Sequence, residues 1–132
     1  MEYLHKDITD RIIRAFYNVY NDLGFGFLEK VYENAMMIEL NSFGLNCSKQ
    51  KPIVVYYKSK KVGEYFADII VEDKVIIELK AAECLIPEHE AQLLNYLKAT
   101  EIEVGLLLNF GKTAQIKRQI YENRLKNQFR SV

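Results

Sequence analysis

Three observations predict an α/β sandwich built on a mixed sheet. Two segments with helical spacing of apolar residues open the chain, and three β-type runs separated by short polar turns follow. A further helical segment then leads into VGLLLNF at 104–110, a continuous apolar run of the kind found in strands covered on both faces. Consecutive β runs form an antiparallel meander, which cannot bury its own faces, so helices must cover it. The order is ααβββαβ with a further β at the end, and 132 residues fit a single domain, 1–132.

The first helix, 6–23, spaces Ile8, Ile12, Ala15, Phe16, Val19 and Leu23 for one buried face, with Asp7 or Thr9 as the cap and Gly24 as the stop. GFGF at 24–27 changes the chain's direction. A second helix over about 28–43 turns Leu28, Val31, Tyr32, Ala35, Ile38 or Glu39, and Phe43 inward, and Gly44 stops it. Residues 45–51 read as a polar connection, 52–58 as a strand and 58–63 as a basic turn. The stretch 65–80, YFADIIVEDKVIIELK, supplies two more strands. After a loop at 81–86, Pro87 opens a third helix reaching about Ala99. In that helix Ala91, Leu94 and Leu97 to Lys98 pack, while Gln92 and Tyr96 form a polar stripe. In the tail, Ala114, Ile116, Arg118 and Ile120 alternate like an edge strand, although Ile116 and Ile120 also suit a helix. A strand from near Gln115 and a charged end from Glu122 is the reading followed.

Eighteen basic residues balance eighteen acidic ones, so the chain lacks the global positive field of many nucleic-acid binders, and any such binding must be local. The opening MEYLHKDITD has no apolar signal-peptide core and no apolar run approaches a membrane span, so the expected location is cytoplasmic, with no membrane partner. Cys47 and Cys84 lack zinc-site spacing and read as two reduced thiols.

Charge placement within 65–80 is anomalous. Asp68 stands between Phe66 and Ile70 in one strand, and Glu78 and Lys80 end the next. Apolar strand positions disfavour such residues unless a partner compensates. If Glu72, Asp73 and Lys74 form a three-residue loop, Val71 pairs with Val75 and Asp68 falls opposite Glu78 on one face; a two-residue loop separates them. In the first register the two Cβ atoms lie roughly 5 Å apart, which is unfavourable for like charges without a cation or proton between them. A plainer reading makes Lys80 the ion-pair partner of Glu78. Glu29 and Glu33, four apart on the second helix, are also explained by the preference for negative charge at a helix N-terminus, the reading followed for Glu33; for Glu29 both readings stay open. His5 and His89 read as surface residues. Basic clusters at 49–61 and in the tail from Lys112 to Arg130 read as solvated faces, or as guides for phosphates if they flank the site.

Asp68, nine residues, then Glu78-Leu79-Lys80 resembles the D...(D/E)xK motif of the PD-(D/E)XK nuclease superfamily, and the element order resembles its restriction-endonuclease-like core. Gly26, Glu29 and Tyr32 spell the GxxExxY signature of a small family placed in that superfamily, and ADIIVE, IIELKA, QLLNYLKA and GLLLNFG follow in that family's order. Ala67 stands where the superfamily's name puts proline. The resemblance implies that Asp68 and Glu78 hold a divalent metal, that Lys80 is catalytic, and that Glu29 is the acid added from the first core helix. Gln92 and Tyr96 match the QxxxY pattern of some exonuclease-like branches.

Hard oxygen ligands suit Mg2+ or Mn2+, and the backbone carbonyl of Leu79 would add one more. The implied function is metal-dependent hydrolysis of DNA phosphodiester bonds in repair, recombination or defence, with Lys80 offsetting developing charge and Gln92 orienting Lys80 or the nucleophile. A homodimer is an open arrangement, since small nucleases that cut both strands often pair. The alternative is a nuclease-fold module that binds nucleic acid or protein with little or no catalysis.

Overall fold

The computed structural model describes residues 4–126. Its elements are α1 (Lys6–Leu23), α2 (Glu29–Ser42), β1 (Cys47–Tyr57), β2 (Lys60–Val71), β3 (Val75–Lys80), α3 (Pro87–Lys98), β4 (Val104–Phe110) and β5 (Ala114–Ile120), followed by a 3-10 turn, Asn123–Leu125. The strands form one sheet in sequence order. Neighbours are antiparallel except β3 and β4, which α3 connects as a parallel pair. This is the mixed, helix-flanked sheet of a restriction-endonuclease-like fold.

Side-chain alternation divides the core between the two faces. Ile69, Val71, Ile77, Leu106 and Leu108 face α1 and α2, meeting Ile12, Phe16, Tyr32, Met36 and Leu40. Ile70, Ile76 and Leu107 face α3, meeting Leu93, Tyr96 and Leu97. Both faces of β3 and β4 are covered, which is why VGLLLNF shows no alternation.

Several details depart from the expectations. β1 begins at Cys47, so the polar stretch 47–51 is strand: five of its first six residues are exposed or nearly so, and it borders the sheet. The β1–β2 hairpin turns on Lys58 and Ser59 alone, both left-handed at φ 50° and 65°, as a two-residue turn requires. On α2 the buried side is Tyr32, Glu33, Met36 and Leu40, whereas Leu28 and Ile38 are 80% and 72% exposed. On α3 it is Leu93, Tyr96 and Leu97, with Ala91 exposed. At the start of α1 neither Asp7 nor Thr9 caps; the Thr9 hydroxyl donates to Lys6 O instead. The tail is a strand, because Ala114 to Ile120 completes the ladder along β4. No described helix is long and apolar enough to cross a membrane.

Candidate active site

The β2–β3 turn sets the register of the charged residues. Glu72 and Asp73 are left-handed at φ 55° and 53°, and Lys74 N donates to Val71 O at 2.9 Å, which closes the loop over three residues. Val71 pairs with Val75, Ile70 with Ile76 and Ile69 with Ile77. One step further, Asp68 and Glu78 occupy the next facing positions, on the side of the sheet that carries α3.

At that step carboxylates replace the backbone ladder. Asp68 N–H donates to Glu78 Oε2 at 2.9 Å, and Leu79 N–H donates to Asp68 Oδ2 at 2.8 Å. Each acid thus satisfies a backbone donor on the opposite strand, which a diverging pair of strands would otherwise leave unmet. Within an extended strand the carbonyl leaves from the same edge as the N–H. The Leu79 carbonyl is therefore on the Asp68 side.

These hydrogen bonds favour the ionised acids, but burial and like charge outweigh them. Burial foremost, then the neighbouring Asp68 carboxylate, pushes Glu78 up to about 8, against the opposing pull of the Asp68 N–H and the Lys80 charge; Glu29 adds to the rise. Asp68 is raised too, first by burial and then by Glu33 and Glu29, while the Leu79 N–H and Lys80 oppose the rise. Lys80 makes no ion pair within 4 Å among the described residues, so the simple Glu78–Lys80 strand-end pair is absent. The lysine is half-buried, with its charge felt by both acids.

Glu29 is the first residue of α2, exposed, and reaches the pair through its charge. Its place is fixed by the residues around it. Tyr32 is fully buried, stacks on Phe110 at 4.1 Å, donates to Gly24 O at 2.6 Å and accepts from Phe27 N at 3.2 Å. Gly26, at φ 109°, supplies a bend that an L side chain rarely adopts. Gly26 and Tyr32 therefore pin the linker and the start of α2, and Glu29 is carried between them. On α3, Tyr96 is buried with its phenol pushed up to about 12, by burial and then by the charges of Glu78 and Asp68; Gln92 lies half-buried one turn before it.

Sequence reasoning missed three groups. Glu33 is buried at 5% exposure, paired with Lys30 at 3.3 Å, and it accepts from Gln50 Nε2 at 2.8 Å. Gln50 Nε2 also lies 3.4 Å from Asp68 Oδ1, which links the α2 acid to the strand acid. Gln50 is left-handed at φ 54° in mid-strand and skipped by the ladder between Lys49–Ile69 and Lys51–Ala67. Only the break in strand polarity at 47–51 hinted at it. Third, Asn109, fully buried and paired with Lys80 across the parallel ladder, exchanges hydrogen bonds with Ala82 at 2.9 and 3.0 Å and donates to Gln115 at 3.0 Å. It holds the chain immediately after Lys80.

The basic clusters divide. In the tail, Lys126 is fully buried, donating to the Thr100 and Ile102 carbonyls, and Arg118 donates to Leu4 O and Thr9 Oγ1. Arg124 pairs with Glu122 at 3.2 Å, and Arg130 lies outside the described residues. Lys126 and Arg118 are thus structural, whereas Lys112, Lys117 and Arg124 are exposed. The lysines of β1 and β2 are exposed.

Two carboxylates and a carbonyl suit a divalent ion that keeps several waters. Burial and neighbouring carboxylates raise both acids, and a positive charge between them would oppose that rise. Among the described residues no group of three or more His, Cys, Asp or Glu side chains is gathered closely enough to hold a metal ion.

The family model of the PD-(D/E)XK nuclease superfamily matches residues 6–122. Among solved structures, the crystal structure of SSO0001 superposes with a TM-score of 0.54 at 16% sequence identity, over 89% of this chain and 58% of that one. The chain thus spans less than two thirds of that protein's length, and likeness at this identity concerns the fold. No curated protein matches.

Proposed function

Because the chain belongs to the PD-(D/E)XK nuclease superfamily, we propose that it is a Mg2+- or Mn2+-dependent nuclease hydrolysing DNA phosphodiester bonds, a single domain working in the cytoplasm in repair, recombination or defence. The observation that carries this reading is the Asp68–Glu78 pair: two acids on one face, held by each other's strands, both resisting ionisation, beside a lysine, Lys80, that makes no ion pair among the described residues. Asp68, Glu78 and the Leu79 carbonyl would hold the ion, with Glu29 as an outer acid. The ion supplies polarisation of the scissile phosphate and a more acidic water. Lys80 offsets charge developing on the phosphate, and Gln92 orients Lys80 or the attacking water from α3.

The test is incubation with linear, branched and single-stranded DNA in Mg2+ or Mn2+. Cleavage by the wild type that is lost in Lys80→Ala supports the reading, and equal rates for the two proteins reject it. The balanced net charge favours a second reading, a non-catalytic binding module of the same fold. A metal that binds the folded protein must raise its melting temperature; a midpoint unmoved by either metal favours the module.

A further inference from the structure

A groove of about 530 Å³ runs between the β1–β2 hairpin and α3, and neither Asp68 nor Glu78 lines it. Its walls are mainly apolar and aromatic. Val55, Tyr56, Val62 and Tyr65 form the hairpin side, and Gln92 and Tyr96 belong to the helix side. Tyr56 and Tyr65 are 41% and 48% exposed, so both side chains are open in part to solvent. Tyr65 leans on Tyr96, with ring centres 5.6 Å apart and planes at 44°. Open aromatic faces on a concave surface have the geometry that receives flat rings.

The two ends of the groove differ in charge. At one end, Tyr96 is close enough to Glu78 and Asp68 to feel both charges, so that end of the groove lies near the acidic pair. At the other, the hairpin turn follows Tyr56 with Lys58, Lys60 and Lys61; Lys58 sits 5.5 Å above the Tyr57 ring. Lys61 pairs with Glu64 at 3.7 Å, and Glu88 and Lys98 also border the groove. The hairpin end thus carries Lys58, Lys60 and Lys61 against Glu64, while the lining itself balances Lys98 against Glu88.

We propose that this groove holds unpaired nucleotides of a single-stranded segment next to the cleaved phosphate, with bases stacked on Tyr65 and Tyr56 and the sugar-phosphate chain running towards the lysine-bearing turn. A base inside a duplex has both faces covered by its neighbours, so only an unpaired base offers a face to these rings. Stacking on these rings is tolerant of sequence, because every base has a face to offer. The proposal deepens the nuclease reading and rests on it for what happens at the phosphate. Base stacking in the groove stands on its own.

The groove can be altered without touching the acidic residues. Gly63 lines it, and a Cβ there would meet only the Tyr65 ring edge, at 3.7 Å, an ordinary contact on a permissive backbone. Gly63→Ile therefore fills the groove with a residue suited to strands. Tyr65→Ala removes a stacking face, and Tyr65→Trp keeps one. Binding of fluorescently labelled oligo-dT and of a duplex of equal length is measured by anisotropy in EDTA, so that no cleavage intervenes.

The wild type is expected to favour oligo-dT, with binding that weakens as salt rises. Tyr65→Ala and Gly63→Ile weaken it roughly 5- to 100-fold, and Tyr65→Trp restores it. Thermal unfolding checks that each variant folds; should Gly63→Ile fail to fold, the Tyr65 pair carries the test. Equal binding by wild type and Tyr65→Ala, or a preference for duplex, overturns the proposal. So does a wild-type dimer that Gly63→Ile converts to monomer, since the groove would then be a contact between copies. Loss of the metal-induced thermal shift with Tyr65-dependent binding intact would reject the nuclease reading alone, whereas the reverse pattern rejects the groove alone.

Discussion

Replacing Glu78 by glutamine should stabilise the metal-free protein at alkaline pH and leave it nearly unchanged at pH 5. The Glu78 carboxyl rises from its ordinary 4.5 to about 8 in the folded chain. At 1.36 kcal/mol per pH unit, that gap corresponds to about 5 kcal/mol of folding stability. The sign follows from which state holds the proton. Between pH 4.5 and 8 the folded protein keeps a proton that the unfolded chain has released, so the stability this group contributes is fully present below 4.5 and is lost as pH rises through 8. Asp68, also raised, acts in the same direction. Glutamine carries no charge at any pH, and its carbonyl can still accept from the Asp68 N–H. Burying the polar amide takes back part of the gain. A net gain of about half, roughly 2–3 kcal/mol, is the expectation at pH 8.5, or about 10 °C in melting temperature for a chain of this size. Urea and thermal unfolding of both proteins in EDTA, from pH 5 to pH 9, measure it. The difference should start near zero and level off above pH 8. A Glu78→Gln protein that melts below wild type at pH 8.5, or a difference that does not change with pH, would refute the reasoning. Adding Mn2+ at pH 8.5 should raise the wild type alone, by about 2.7 kcal/mol at a hundred times its Kd.

Three other outcomes follow from neighbouring features. Gln50→Ala leaves the buried Glu33 carboxylate one donor short while keeping the left-handed backbone, and should cost about 1–2 kcal/mol. Gln50→Gly loses the same donor but relieves the backbone, so it should be about 1 kcal/mol more stable than Gln50→Ala in urea unfolding; the reverse order would reject that account. Gly105→Ala places a Cβ 2.7 Å from Leu93 Cδ1, which should cost about 1–3 kcal/mol, with a loss smaller than additive when combined with Leu93→Val. Asn109→Leu strands the Ala82 N–H and C=O, so a loss of about 2 kcal/mol and faster amide exchange at Ala82 are expected.

What could be read from the sequence depended on whether the residues posed a choice with few answers. The hairpin loop had to be two or three residues long, and only three put Asp68 and Glu78 together; Val71 facing Val75 settles it. Helix ends were marked by Gly24, Gly44 and Pro87, and all three helices begin and end within a residue of the expected positions. The face of α2 had no such constraint. Apolar residues surround that helix, and packing against Phe16 and Phe110 selects Tyr32 and Met36 over Leu28 and Ile38, which periodicity alone could not decide. Tyr96 looked polar because of its hydroxyl, whereas its ring is what the α3 face buries. Gln50 was illegible for another reason: a left-handed residue inside a strand has no composition signal unless it is glycine or asparagine.

The position of the acidic pair follows from the sheet's change of direction. β3 has an antiparallel neighbour on one side and a parallel one on the other, and the β4 ladder continues to Lys80 while the β2 ladder stops at Ile77. The end of β3 thus keeps one partner and loses the other. Backbone donors on Asp68 and Leu79 then face a gap, and the carboxylates of Glu78 and Asp68 fill it. The same two side chains therefore close the sheet and carry the charge on which the proposed chemistry depends, which separates two kinds of substitution. Asp68→Asn keeps an acceptor for the Leu79 N–H and removes one charge, so the metal-free protein should be unharmed or slightly more stable. Asp68→Ala removes the acceptor as well, and should be about 1–3 kcal/mol less stable than Asp68→Asn at any pH. If the two variants unfold at the same urea concentration at pH 8.5, the carboxylate is not holding the strand, and Asp68 is an electrostatic group alone.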